Sequence, residues 1–249
     1  MNSTNDVVVT LDTDWAPDVA IDAAAGILAT HGVKATWFVT HESPAIDRLR
    51  ARGDLFELGI HPNFLPGSSH GDTPRDVLAR SMAIVPGAVS MRSHALVQST
   101  PIFLDVLAHT SVRVDASILL HRAPGLTLSE FPLNGEILLR APTFWEDDVE
   151  MMRERPGWDL DPLLATEGLK VFDFHPIHLF LNSPDLAPYH ALKAAVGAGF
   201  TQATPEALRK HGFAGRGAGT LFGELVSSLA RAGGGARLRD LYFRWRETR

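Results

Sequence analysis

The sequence predicts an α/β fold built on a parallel sheet or a barrel. Short apolar runs alternate with segments of helical pattern along most of the chain, and strands joined through helices run in the same direction. Residue types that carry chemistry follow these runs, at the carboxyl ends of the predicted strands, and such ends share one face of a parallel barrel. At 249 residues the chain is long enough for one large domain.

Seven segments are predicted as strands from their apolar, β-branched and aromatic content. They are residues 7–11, 35–39, 56–60, 88–91, 111–114, 136–140 and 169–174. Four helices are predicted to begin where serine or threonine precedes proline, because the hydroxyl caps the first turn and proline fits its first position. These pairs stand at 43–44, 73–74, 100–101 and 204–205. A further helix begins near Pro17 and stops at Gly32, and Gly53 and Gly212 stop two others.

The composition excludes several classes of protein. The absence of cysteine excludes disulfides, thiolate metal sites and cysteine nucleophiles, so a transition-metal site would have to use histidine and carboxylate. The net charge of −6 argues against general nucleic-acid binding. No apolar run has the length of a membrane span, and residues 1–6 lack the pattern of a signal peptide. We therefore expect a cytoplasmic protein.

The carboxyl-terminal region is basic, in contrast to the rest of the chain. From residue 207 to 249, nine lysines and arginines stand against three acidic residues. We expect a single domain over residues 1–249 with a basic helical extension from about residue 205. Its last helix would dock by an apolar stripe or lie on an anionic membrane surface. The stripe consists of Leu238, Leu241, Tyr242 and Trp245.

Carboxylates and histidines that follow the first and third strands suggest a metal site. Asp12 and Asp14 end the first strand, and close carboxylates need a cation, a proton or water beside them. His61 ends the third strand, and His70 lies in a loop rich in proline, glycine and serine that can fold back towards it. Asp14, His61 and His70 could hold a divalent ion with a coordination position left open, as catalytic zinc requires. The alternatives are a solvated turn and a hydrogen-bonded core histidine.

A second group of candidates ends the last predicted strand. Asp173 and His175 share a face of that strand, so that the carboxylate could orient the imidazole. Asp115, at the end of the fifth strand, could do the same. His178 could bind a metal together with His175 or merely cap the strand.

Two further segments have a chemical or a structural interpretation. Arg92, two residues before His94, follows the fourth strand and could bind a carboxylate through two hydrogen bonds. Trp145 precedes the acidic residues 146–148. This aromatic and acidic segment could contact sugar hydroxyls, or it could form an exposed loop.

Taken in order, these segments resemble the motifs of the polysaccharide deacetylase superfamily, carbohydrate esterase family four, of the chitooligosaccharide-deacetylase type. The matching segments are residues 10–15, 32–39, 57–62, Arg92, residues 114–117 and the strand ending at His175. The resemblance covers roughly residues 5–182. It implies a distorted (β/α) barrel with about seven parallel strands and a metal-dependent deacetylase with Zn²⁺ as the expected ion.

The resemblance also implies roles for individual residues. Asp12 would be the catalytic base, Asp14 and two histidines would hold the metal, and His175 would be the acid. Arg92 would orient Asp12. Asp115 or Asp173 would fix the imidazole of His175.

The chain departs from the family pattern in three places. Thr13 separates the two aspartates, which are adjacent in the family. Leu65 stands where the second metal histidine is usual, so His70 is the predicted substitute, ahead of Asn63 or Asp72. His94 stands where proline is usual.

With these departures, the chain resembles divergent members of the family that are associated with capsule or O-antigen gene clusters. The predicted reaction is hydrolysis of an N-acetyl group, or less favourably an O-acetyl group, on a sugar or polysaccharide precursor. The alternatives are a non-catalytic sugar-binding protein on the same barrel and a metal-dependent hydrolase of another C–N bond.

Overall fold

The computed structural model describes residues 5–249. Residues 1–4, which belong to the segment that lacks the pattern of a signal peptide, lie outside the described part. Within residues 5–249 the strands are β1 (Val7–Asp12), β2 (Ala35–Val39), β3 (Phe56–Ile60), β4 (Ser90–Met91), β5 (Val114–Asp115), β6 (Ser129–Leu133), β7 (Glu136–Arg140), β8 (Thr143–Glu146) and β9 (Lys170–Phe174).

These nine strands form one sheet in the order β6-β7-β5-β4-β3-β2-β1-β9-β8. Every neighbouring pair is parallel except β6 and β7. The sheet curls into a half-barrel, which confirms the predicted architecture, with nine strands in the described residues instead of about seven.

The helices of the described residues begin largely where the sequence predicts them. They are α1 (Asp18–Thr30), α2 (Pro44–Arg50), α3 (Pro74–Ile84), α4 (Thr100–His109), α5 (Asp147–Met151), α6 (Leu160–Leu164), α7 (Pro176–Leu181), α8 (Ala187–Val196), α9 (Pro205–Arg209), α10 (Ala218–Arg231) and α11 (Leu238–Glu247). The hydroxyls of Ser43, Thr73 and Thr204 cap α2, α3 and α9 as predicted. At α4 the cap is Ser99 instead of Thr100, one residue earlier than expected.

The sequence did not predict β6 and β8, and features of the two strands explain why. β6 is a partly exposed edge strand that contains Pro132, and proline lowers strand propensity except at an edge. It forms a hairpin with β7 through Asn134 and Gly135, which have φ of 50° and 83°, as a tight hairpin turn requires. β8 is only four residues long but wholly buried.

The inner face of the sheet carries a cluster of polar side chains around Glu57. The carboxyl-terminal helix, α11, packs over this cluster. Glu57 is buried and accepts hydrogen bonds from Thr36 Oγ1 at 2.8 Å and Ser90 Oγ at 2.7 Å. It also accepts one from the backbone N–H of Arg239 at 2.9 Å, in the first turn of α11. Gly59 lies beside this group, and a Cβ there would come within 2.7 Å of Ser90 Oγ. The backbones of β3 and β4 therefore approach each other closely at Gly59.

The last helix docks by the apolar stripe that the sequence predicts. Leu238 and Leu241 are buried, and Tyr242 and Trp245 pack against the core. The indole N–H of Trp245 donates to Glu130 at 2.9 Å. No helix within residues 5–249 combines the length and apolar character that crossing a membrane requires.

Candidate active site

The candidate residues meet at the carboxyl ends of the strands. Asp12 ends β1, His61 follows β3 and His175 follows β9, so three elements distant in sequence bring their side chains to one mouth of the half-barrel. His94 lies in a short 3₁₀ segment just after β4. The residues that the sequence placed at strand ends thus lie together at one edge of the sheet.

Asp14, His61 and His94 form a compact group of donor atoms. Asp14 Oδ1 lies 3.1 Å from His61 Nε2 and 3.1 Å from His94 Nδ1, and the two histidine nitrogens are 3.3 Å apart. Donors that hold zinc tetrahedrally at about 2.0–2.1 Å are separated by about 3.3–3.4 Å. Two imidazoles and one carboxylate are a ligand set typical of catalytic zinc, with a position left open. The residues present therefore fit a divalent metal ion.

The backbone around Asp14 is unusual. Asp14 and Trp15 both have positive φ, 42° and 54°, although neither is glycine. Burial acts to raise the pKa of Asp14, but its hydrogen bonds with His61 and His94 hold that pKa well below the ordinary value. This arrangement of hydrogen bonds favours the ionised carboxylate.

His70, the predicted third ligand, is not part of this group, which is the main correction to the sequence-based site. Its Nε2 lies 2.7 Å from the carbonyl oxygen of Thr40, and its Nδ1 accepts from the backbone N–H of Asn63 at 3.2 Å. Both ring nitrogens are therefore engaged by backbone groups, which leaves neither free to bind an ion. His94, which the sequence did not suggest as a ligand, lies beside Asp14 and His61 instead.

Asp12 is held by a buried arginine. Arg92 is fully buried, and its Nη1 donates to Asp12 Oδ1 at 2.8 Å and to Asp173 Oδ1 at 2.5 Å. Burial disfavours the charged guanidinium, yet Asp12 and Asp173 raise the pKa of Arg92 above its ordinary value. The other oxygen of Asp12, Oδ2, lies 3.5 Å from His61 Nε2 and so faces the metal group.

His175 forms a dyad with Asp147, a residue to which the sequence gave no specific role. His175 Nδ1 is 2.7 Å from Asp147 Oδ1, and the backbone N–H of His175 donates to Asp147 Oδ2 at 2.9 Å. Burial acts to lower the pKa of His175, but Asp147 raises it well above the ordinary value. The remaining nitrogen, Nε2, lies 3.6 Å from Asp14 Oδ2, at the edge of the metal group.

The two carboxylates predicted to orient His175 have other partners. Asp173 binds Arg92 and also accepts from Thr10 Oγ1 at 3.0 Å. Asp115 lies 2.6 Å from Arg140 Nε and accepts from Ser117 Oγ at 2.6 Å. In the sequence, the indication of Asp147 was its place in the acidic run 146–148. That run indicates a site residue only once the residues before it are recognised as the strand β8.

Trp145 and His178 are both buried. Trp145, at the start of the segment interpreted as a sugar contact or an exposed loop, is fully buried in β8 and packs on Phe174 with ring centroids 5.2 Å apart. Both interpretations are therefore wrong for this side chain. The ring centroid of His178 is 5.8 Å from that of His175, and its Nδ1 is 3.3 Å from Ser183 Oγ. Burial lowers the pKa of His178, which favours its neutral form.

Comparisons with known proteins agree with this geometry. Residues 9–193 match the profile of the family described as WbmS-like polysaccharide deacetylase. A crystal structure from Bordetella bronchiseptica, of a candidate polysaccharide deacetylase involved in O-antigen biosynthesis, superposes with a TM-score of 0.77 and 33% sequence identity. That match covers 89% of this chain and 90% of the other.

Two weaker structural likenesses carry no argument about function. A carbohydrate esterase family 4 pseudoenzyme from Bacillus anthracis has a TM-score of 0.41 and 15% identity, over 84% of this chain and 60% of that one. A 4-alpha-glucanotransferase from Thermococcus litoralis has a TM-score of 0.43 and 10% identity, over 69% of this chain and 33% of that one. The comparison with curated protein sequences returned no significant match.

Proposed function

Because this chain belongs to the WbmS-like polysaccharide deacetylase family, we propose that it is a metal-dependent hydrolase that removes an N-acetyl group from a sugar. The observation that carries the proposal is the position of the donor group of Asp14, His61 and His94 beside a carboxylate and an imidazole. Asp12 Oδ2 lies 3.5 Å from His61 Nε2, and His175 Nε2 lies 3.6 Å from Asp14 Oδ2. Hydrolysis of an amide needs a base for the attacking water and an acid for the departing amine.

The three donors would hold a divalent ion, most simply Zn²⁺. When bound, such an ion polarises an acyl oxygen and lowers the pKa of water from about 15.7 towards about 7. Asp14 would contribute the one negative charge of the set. The imidazoles of His61 and His94 would supply the other two ligand atoms, His61 Nε2 and His94 Nδ1, in their deprotonated form.

Asp12 is the proposed base. Arg92 donates to Asp12 Oδ1 at 2.8 Å, which leaves Oδ2 to accept the proton of the attacking water. The guanidinium is itself fixed by Asp173, so that Asp12 cannot turn away from the mouth of the barrel. Arg92 is therefore a positioning residue.

His175 is the proposed acid. The Asp147 carboxylate at 2.7 Å keeps the imidazole protonated and fixes its orientation, with Nε2 towards the metal group. From that nitrogen the proton can pass to the nitrogen of the departing amine. The cleavage breaks the C–N bond, adds one water and releases acetate and an amino sugar.

The substrate proposed is an acetylated sugar of a polysaccharide or its precursor. The related Bordetella bronchiseptica protein is described as involved in O-antigen biosynthesis, which favours sugars of that class. Asp14, His61 and His94 offer three donor atoms although the usual second histidine is absent, which supports a catalytic protein over a non-catalytic sugar-binding protein.

The test is acetate release from N-acetylated sugars by protein loaded with zinc. Asp12→Asn should abolish acetate release while the bound metal, measured by elemental analysis, stays at the wild-type level. Deacetylation by Asp12→Asn at the wild-type rate would contradict the assignment of the base. A wild-type protein that binds zinc but releases acetate from no sugar would instead favour the binding protein or a hydrolase of another C–N bond.

A further inference from the structure

Trp15 differs from the other tryptophans of the chain. All five lie in the described residues, and Trp37, Trp145 and Trp158 are buried. Trp245 is partly exposed, but its indole N–H donates to Glu130, far from the site. Trp15 is partly exposed at the mouth of the half-barrel, directly after the candidate ligand Asp14. Within residues 5–249 its indole N–H has no hydrogen-bond acceptor, so that N–H is available to a ligand.

The backbone holds Trp15 in this place against its own preference. A positive φ is rare for a bulky residue and costs energy that the surroundings must supply. Trp15 has a φ of 54° directly after Asp14 at 42°. The backbone N–H of Trp15 donates to Thr40 Oγ1 at 3.1 Å, which fixes the turn. A tryptophan that served only to fill the core would require neither this conformation nor this exposure.

The indole lies between two histidine rings. Its centroid is 5.4 Å from the ring of His94, nearly perpendicular, and 5.6 Å from the ring of His70. His70 is fixed by its two backbone hydrogen bonds and therefore supports the indole from one side. His94 belongs to the candidate metal group, so a molecule that contacts Trp15 is within reach of the metal ligands.

We propose that Trp15 binds the pyranose ring of the substrate, stacking against its apolar face while the acetyl group reaches the metal group. This inference rests on the proposed function for the identity of the ligand. A pyranose ring presents a face of C–H groups that suits a rigid aromatic surface, with polar hydroxyls at its rim that can accept from an indole N–H. Trp15 would therefore distinguish an acetylated sugar from a simple amide.

The test separates the sugar ring from the acetamide group. The probes are N-acetylglucosamine, N-acetylgalactosamine and acetamide, and their binding to the zinc-loaded protein is measured by saturation-transfer NMR. Trp15→Leu should weaken binding of the preferred N-acetylhexosamine about tenfold, since an aromatic contact is lost. Trp15→Phe, which retains an aromatic ring, should weaken it only about two- to threefold. Acetamide binding should be unchanged in both variants.

Tryptophan fluorescence supplies a second measurement. The preferred sugar should change the emission of the wild-type protein and of the matched control Trp245→Phe, but not that of Trp15→Leu. Unchanged sugar binding in Trp15→Leu would overturn the inference, and so would equal weakening for acetamide. No binding of either sugar by the wild-type protein would also overturn it. Sugar binding that depends on Trp15 without any acetate release would leave this inference standing and refute the proposed function.

Discussion

His94 and His70 are the two candidates for the third ligand position. Replacing each with alanine should have opposite effects on metal affinity and on stability. His94→Ala removes a side chain whose Nδ1 lies 3.1 Å from Asp14 Oδ1 and 3.3 Å from His61 Nε2. His70→Ala removes a side chain of the same kind whose two nitrogens bind the backbone groups of Thr40 and Asn63. Each variant is therefore the matched control for the other.

The expected magnitudes follow from these contacts. Structural zinc sites with four ligands bind with about 10–16 kcal/mol, or about 2.5–4 kcal/mol for each ligand. His94→Ala should therefore weaken zinc binding about a hundredfold to a thousandfold. His70→Ala leaves a backbone carbonyl and a backbone N–H without partners, each costing about 1–3 kcal/mol if buried. It should lower the free energy of unfolding by a few kcal/mol and leave zinc affinity nearly unchanged.

Competition with a chelating dye measures the zinc affinity, and urea unfolding of the metal-free protein measures the stability. The geometry predicts loss of affinity without much loss of stability for His94→Ala, and the reverse for His70→Ala. Wild-type zinc affinity in His94→Ala would refute the assignment of the third ligand. A comparable loss of affinity in His70→Ala, measured on folded protein, would restore the ligand first predicted from the sequence.

Three other changes test the surroundings of the site. Asp147→Asn should lower the pKa of His175, so that the alkaline limb of the deacetylation pH profile moves to lower pH, because activity needs the protonated imidazole; an unmoved limb would contradict the role of the dyad. Glu150 is buried and has a pKa of about 2 against an ordinary 4.5. Its charge should contribute up to about 3 kcal/mol of stability above pH 4.5, and this contribution is lost as pH falls towards 2. The difference in the free energy of urea unfolding between wild type and Glu150→Gln should therefore disappear over that range. Ser117→Ala should weaken zinc binding about tenfold, since Ser117 Oγ accepts from the backbone N–H of Ser93 at 2.9 Å and thereby fixes the chain next to His94; unchanged affinity would refute that link.

The part of the site that the sequence predicted depends on strand ends. Asp12, His61, Arg92 and His175 each follow an apolar run whose identity as a strand is clear, and parallel strands necessarily bring their carboxyl ends to one edge. Such a prediction needs no knowledge of loop conformation. The chemistry assigned to these residues stays a proposal, but their convergence could be expected from the sequence alone.

The part that the sequence missed depends on loops and on one short strand. His70 is only nine positions after His61, and a flexible loop made it a plausible partner, but the loop instead satisfies two backbone groups with that side chain. The backbone N–H of His94 donates to the carbonyl oxygen of Pro62 at 3.0 Å. Ala95 and Leu96, directly after it, adopt positive φ of 53° and 55°, a conformation that their residue types do not predict. The role of Asp147 was not predicted, because β8 has only four residues and the segment resembles an acidic loop.

The separation of the two aspartates by Thr13 explains the strained turn at the site. Residues two apart on a strand point the same way, but β1 ends at Asp12 and that rule does not extend to Asp14. Thr13 continues the pairing with β2, since its N–H donates to the carbonyl oxygen of Phe38 at 3.0 Å. The chain must then turn sharply to bring the next carboxylate to the same point. The positive φ of Asp14 provides that turn, and both carboxylates reach His61 Nε2, at 3.5 Å from Asp12 and 3.1 Å from Asp14. The same turn leaves Trp15 at the mouth of the site, so the added residue and the partly exposed indole have one structural cause.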